Sequence, residues 1–129
     1  MSSPVQPPPD AVHLEKTGHT TYHLTPVDFW DAQSSNERYL PERFDDEGFI
    51  HCTDTLDEVV AVGNRYYQGD DRAYLLLEID CGAVGAPVVY EDQGKNFPHI
   101  YGPLEVGAVR RVLAVNRDGA GRFLSIGGA

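Results

Sequence analysis

The sequence predicts an α+β fold, with its helices gathered toward the front and antiparallel strands behind them. Three observations carry that prediction. Two helix-start signatures, Thr25-Pro26-Val27-Asp28 and Thr55-Leu56-Asp57-Glu58, fall in the first half of the chain. Most segments of strand character follow them, which is an α+β layout rather than a doubly wound one. At 129 residues and 41% hydrophobic content, the chain has enough material for one ordinary core. Splitting it would leave pieces too small to bury good ones.

Residues 1–19 are polar, carry three prolines at Pro7–Pro9 and show no period. They read as a flexible lead-in to a single domain over residues 20–126. Thr20–Leu24 alternates as a strand, with Tyr22 and Leu24 on one side and Thr21, His23 and Thr25 on the other. Thr25 then reads as an N-cap, with Pro26 in the first turn and Asp28 at the positive end of the dipole. This short helix is expected to reach about Gln33 and to be broken by Ser34-Ser35-Asn36. Arg38–Phe44 is ambiguous, since Pro41 opposes a long helix. Asp45–Gly48 reads as a turn.

Phe49–Cys52 is a brief strand, placing Phe49 and His51 on one face and Ile50 and Cys52 on the other. The capping box at Thr55–Glu58 opens a helix that carries Leu56, Val59, Val60, Gly63 and Tyr66 or Tyr67 at helical spacing and stops before Gly69. Ala73–Ile79 is a run without polar alternation, as in a central strand buried on both faces. Val88–Glu91, a long or bulged Val106–Asn116 and a short Arg122–Ile126 complete the strands. The terminal Gly-Gly-Ala is expected to be loose.

Composition narrows the function. Ten basic against twenty acidic residues give a net charge of −10. Such a field repels phosphate backbones, so a nucleic-acid partner is disfavoured. From Gly94 onward the balance reverses: Lys95, Arg110, Arg111, Arg117 and Arg122 outnumber Glu105 and Asp118, which suits a single small anion. Cys52 and Cys81, the two cysteines, sit in apolar contexts outside any CxxC pair. That argues against a disulfide framework and for a reducing compartment. The opening MSSPVQPPPD has no signal-peptide character, and no run approaches the roughly 20 apolar residues that span a bilayer. A cytoplasmic location with no membrane partner is expected. The oligomeric state is not encoded legibly.

Two segments stand out chemically. His23-Leu24-Thr25 and His51-Cys52-Thr53 both place a histidine two residues before a threonine, where a helix is about to start. A helix N-terminus favours anions, and an adjacent histidine can donate to a phosphate or a ribose hydroxyl. The plainer alternative is that both threonines only cap helices. Phe97-Pro98-His99-Ile100-Tyr101-Gly102-Pro103 is a stiff segment that aims His99 and Tyr101 at one side. An imidazole and a phenol held there form a polar grip for a substrate, or a hydrogen bond that merely closes a loop. Glu91 ends a strand beside a flexible loop and is a candidate general base, against the plainer reading of a solvated carboxylate. Cys52 points away from His51 and is a poor nucleophile if buried. The histidines at 23, 51 and 99 lack HxH or HExxH spacing, so no metal site is expected, although one assembled by the fold stays open.

Tyr22-His23-Leu24-Thr25, Gly48-Phe49-Ile50-His51-Cys52-Thr53, the leucine-rich strand ending Ile79-Asp80, Glu91 and Phe97-Pro98-His99-Ile100-Tyr101-Gly102-Pro103-Leu104 resemble, in order and spacing from about Thr21 to Val115, the domain of unknown function 952 family. The resemblance implies a fold similar to the ADP-ribosyltransferase superfamily, which includes RNA 2′-phosphotransferases. That fold would have two small antiparallel sheets forming a cleft, with two or three helices mostly in the N-terminal half. It implies NAD or a related nucleotide as ligand and ADP-ribosyl or phosphoryl transfer as chemistry. His51, His99 and Glu91 would be catalytic. His23, Thr25, Thr53 and Tyr101 would bind substrate or cofactor. A non-catalytic module for a small metabolite is the alternative, and a hydrolase with a histidine-ligated metal is a third reading.

Overall fold

The computed structural model describes residues 5–127. The expectations for the first four residues and for the last two of the tail fall outside the described residues. Ten strands and three α-helices follow in order: β1 (Val12–His13), β2 (Thr20–Pro26), α1 (Val27–Asp31), β3 (Arg38–Tyr39), α2 (Phe44–Glu47), β4 (Ile50–His51), α3 (Leu56–Tyr66), β5 (Tyr74–Asp80), β6 (Val88–Tyr90), β7 (Pro98–Ile100), β8 (Leu104–Glu105), β9 (Val109–Arg117) and β10 (Phe123–Gly127). The class is α+β, with the helices in the N-terminal half. β1-β6-β7-β4 form one antiparallel sheet, β10-β9-β5-β2 a second, and β3-β8 a two-stranded ribbon.

The hydrophobic run at Ala73–Ile79 explains the layering. β5 lies between β2 and β9, and its side chains alternate between two cores. Leu75, Leu77 and Ile79 meet Ile50, Val88 and Ile100 of the first sheet, while Tyr74 and Leu76 join Leu24, Val59, Leu113 and Phe123 beneath α3. The order is therefore helix, sheet, sheet, with β5 buried on both faces. Because the space between the sheets is filled by that first core, the sequence-expected cleft between them is displaced. The open groove lies along the free edge at β4.

Several boundaries differ from the sequence reading, for local reasons. The segment before Thr20 contributes more than a lead-in: Val12 and His13 pair with Tyr90 and Val89, Leu14 is buried, and Lys16 Nζ donates to the Val84 and Ala86 carbonyls at 2.8 Å. β2 runs on to Pro26, in register with β5 through Thr25↔Leu75. Thr25 is thus a strand residue, Pro26 occupies the cap position without a side-chain bond, and α1 stops at Asp31. The ambiguous stretch holds β3, and the segment read as a turn at Asp45–Gly48 forms most of the single turn of α2, which Gly48 ends at φ 81°, a conformation glycine adopts without steric penalty. Thr55 does cap α3, its hydroxyl accepting from the Glu58 amide. Val106–Ala108 is a 3₁₀ turn before β9, which carries a register shift opposite Glu78 and Ile79. Among the described residues no helix is long and apolar enough to cross a membrane.

Candidate functional site

Pairing places the site residues. β7 lies between β6 and β4, and His99 stands opposite both His51 and Val89. Residues directly opposite share a face of the sheet. Side chains two apart share it too, so Phe49, His51, His99, Tyr101 and Glu91 gather on the outer face. Ile50, Cys52 and Ile100 turn into the core, as the alternation at Phe49–Cys52 predicted. The His51 and His99 rings meet edge to face at 5.0 Å between centroids. Phe49 stacks nearly flat on His99 at 4.2 Å and 12°, touches His51 edgewise and meets Tyr101 at a tilt.

Each histidine on this face has its own carboxylate. His99 Nδ1 donates to Glu91 Oε2, and the Tyr101 hydroxyl donates to the same oxygen at 2.8 Å. His51 Nε2 donates to Glu47 Oε2 at 2.9 Å. A carboxylate only accepts, so these bonds fix which ring nitrogen carries the proton. The second nitrogen of each, Nε2 of His99 and Nδ1 of His51, has no hydrogen-bond partner among the described residues. Burial holds the His99 pKa below its ordinary value, against the opposing pull of Glu91. Burial and the bond to Glu91 raise that of the Tyr101 phenol.

A groove of about 580 Å³ runs beside this face. His51, Thr53, Phe97 and His99 form one wall, Val62, Arg65, Tyr66 and Tyr67 of the α3 end the other, and Arg43 and Glu47 close it. A shallower depression under Pro41 and Tyr74 reaches His23 and Thr25 and shares Arg43, Glu47, His51 and Tyr67 with the groove. The structure thus brings together His51, His99, Glu91 and Tyr101, with Thr53 alongside. Glu91 and Tyr101 stand behind His99 rather than on the groove wall.

His23 and Thr25 belong to a different assembly. His23 is 7% exposed, its Nδ1 donates to the His51 carbonyl at 2.7 Å, and its Nε2 faces the Tyr39 hydroxyl at 3.3 Å. Tyr39 donates to Thr25 Oγ1 at 2.7 Å. Burial depresses the His23 pKa to about 4, outweighing the carbonyl bond that raises it, so the ring is neutral near pH 7. Neither His23 nor Thr25 stands at a helix N-terminus, because β2 is longer than the sequence suggested. Thr53 is not a cap either. Its backbone exchanges two hydrogen bonds with Tyr22 at 2.8 and 2.9 Å, joining the edge strands of the two sheets. Both nitrogens of His23 are directed at protein atoms, so the three-histidine metal set is not assembled. Among the described residues, no group of three or more His, Cys, Asp or Glu side chains is placed to hold a metal.

Sequence reasoning missed Glu47, whose spacing of four before His51 was the available signal, and Tyr39, which lay in the ambiguous stretch. It also missed a polar knot around Asp54. That carboxylate accepts from Thr21 Oγ1 at 2.8 Å and from the Tyr90 hydroxyl, and it lies 3.1 Å from His19 Nε2. The Asp54 amide donates to the Asn96 carbonyl at 2.9 Å, so the knot anchors the loop that presents Phe97.

The fold has solved counterparts. The crystal structure of protein CC0527 from Caulobacter crescentus superposes with a TM-score of 0.68 at 24% identity, covering 81% of this chain and 93% of that one. The solution NMR structure of CC0527 gives a TM-score of 0.57 at 24% identity over 79% and 89%. At that identity the likeness establishes the fold. No curated protein matches the chain. The family model described as "Protein of unknown function (DUF952)" matches residues 24–112, and the chain belongs to that family.

Proposed function

We propose that the groove beside β4 binds NAD or a related nucleotide of the ADP-ribose type and supports ADP-ribosyl or phosphoryl transfer on it, in the manner of an ADP-ribosyltransferase-like domain. One observation carries the reading: two imidazoles, two guanidiniums and three aromatic rings converge on a single groove of about 580 Å³ in a chain of net charge −10. Nucleotides need those three chemistries. Tyr66, Tyr67 and Phe97 offer faces for a base or a nicotinamide ring. Arg43 and Arg65 suit a pyrophosphate, and His51 and His99 suit ribose hydroxyls. The volume lies within the roughly 300–1,000 Å³ usual for small-ligand sites. The cytoplasm is the proposed setting, where free thiols such as Cys52 and Cys81 stay reduced.

A second reading, a binding module without turnover, is favoured by the position of Glu91. Cleaving a nicotinamide–ribose bond develops oxocarbenium charge, which a carboxylate facing the ribose would stabilise. Glu91 instead spends Oε2 on His99 and Tyr101. Calorimetry with NAD and with ADP-ribose tests binding, and nicotinamide release tests turnover. Binding is expected for the native chain and a loss of tenfold or more, about 1.4 kcal/mol, for His51→Ala. Failure of both ligands at millimolar concentration would sink the reading of the groove as an NAD or ADP-ribose site.

A further inference from the structure

We propose that His99 and His51 form a general base and general acid that hydrolyse a phosphodiester of a small nucleotide, one whose leaving group is a sugar hydroxyl. This rests on the reading of the groove as a nucleotide site and names the bond that site attacks. Each histidine has one nitrogen fixed by a carboxylate, Glu91 for His99 and Glu47 for His51. That arrangement orients an imidazole for proton transfer, because the partnered nitrogen keeps its proton and the other stays available. The two rings touch edge to face on adjacent strands, with 5.0 Å between centroids, so one phosphoryl group seated over the pair meets both. Phe49, lying flat on His99, holds the plane of the base.

The placement of charge selects the bond. Nicotinamide leaves ribose as a neutral amine-type group that needs no proton, whereas a sugar alkoxide is a poor leaving group unless protonated as it departs. A paired acid and base therefore suits phosphorus–oxygen cleavage, and a carboxylate held behind the base suits glycosidic cleavage less well. His99 Nε2 takes a proton from water as the water oxygen bonds to phosphorus. The bond from phosphorus to the sugar oxygen breaks, its electron pair stays on that oxygen, and a proton from Nδ1 of protonated His51 completes the alcohol. Solvent then reverses both protonation states. Arg43 and Arg65 at the groove wall offset the charge on the phosphoryl oxygens. The negative field of the chain disfavours a polymer backbone, leaving mononucleotide-sized esters.

The test incubates the full chain with adenosine 2′,3′-cyclic phosphate in ¹⁸O-labelled water, with and without EDTA, beside calorimetry with NAD and ADP-ribose. One ¹⁸O in the product phosphate is expected, unaffected by EDTA. His99→Gln and His51→Gln should each lower kcat by about 10²–10⁴-fold at unchanged melting temperature. Glu91 is a positioning residue, so Glu91→Gln should lower kcat with KM preserved, and it carries the comparison with His51→Gln if His99→Gln is unstable. Binding of NAD or ADP-ribose with no cleavage of the cyclic ester overturns the acid–base pair and leaves the nucleotide reading standing. So does cleavage that His99→Gln and Glu91→Gln leave intact, or cleavage that EDTA abolishes. Absence of both binding and cleavage overturns the two together. Cleavage without NAD or ADP-ribose binding upholds the pair and confines the ligand to mononucleotides.

Discussion

His23 and His99 lie on strands of the two sheets, and burial with partnering gives them different duties. His23 faces inward, with a carbonyl on one nitrogen and a phenol on the other, so it braces the backbone of His51 rather than meeting a ligand. His99 keeps one nitrogen unpaired at a groove. The brace depends on Tyr39, which is fully buried and links His23 to Thr25. Tyr39→Phe keeps the ring packing but leaves two buried polar groups short of a partner, which costs about 1–3 kcal/mol. Urea unfolding should show that loss with an unchanged m-value, and an unchanged midpoint would remove the brace. None of this was legible in the segment Thr25-Pro26-Val27-Asp28, where every local cue favours a cap. The hydroxyl of Thr25 is claimed by a tyrosine 14 residues away, and a long-range claim leaves no trace in a local motif. The outer-face grouping of Phe49 with His51 and of His99 with Tyr101 was legible, because strand alternation depends only on spacing. Their meeting on one sheet required the β4–β7 pairing.

Among elements, α3 shows how propensity and packing compete. Gly63 sits inside the helix, where alanine would ordinarily gain about 1 kcal/mol. A Cβ there would lie 2.5 Å from Phe123 Cδ2, and that ring is 2% exposed. Overpacking of this kind costs about 1–3 kcal/mol or more, so the clash wins. Gly63→Ala is expected to lower the melting temperature, and a rise would show that Phe123 can move aside. Arg117 ties the other end of the same layer: it donates to the carbonyls of Tyr67, Asp70, Arg72 and Gly121 and lies 4.3 Å from the Phe123 ring centre. A lysine reaches fewer of those acceptors and lacks the planar fork. Arg117→Lys should therefore destabilise by about 2 kcal/mol in thermal unfolding, and retention of full stability would show that the fork is dispensable. β5 and α3 were legible because each is long enough to display its period. β1 and β3 span two residues each, too short for a period, and they exist because the sheets accept them as edges, whereas β4, equally short, was legible from the alternation at Phe49–Cys52.

Across the whole molecule, the two sheets are stitched where β2 meets the end of β4, through Tyr22–Thr53 and His23–His51. The stitch holds the groove wall in place and makes stability depend on His23 staying neutral. Its pKa in the fold is about 4 against an ordinary 6.5, so between those values the unfolded chain binds a proton that the native state refuses. The stabilisation is full above about pH 6.5 and is lost as pH falls toward about 4. His99 is shifted in the same direction and adds to the effect. Glu42, Asp70 and Glu78, with pKa values lowered chiefly by hydrogen bonds to Arg72 or Arg111, also lose stabilisation on acidification. Their loss falls at lower pH, below the ordinary carboxylate range. Between about pH 7.5 and about pH 5 the histidines therefore dominate, and His23 alone should remove about 2 kcal/mol. Urea unfolding of His99→Gln at those two pH values isolates the His23 share. A fall of that size is expected, and equal stability at the two values would show that His23 accepts its proton in the folded state, which burial of the ring disfavours.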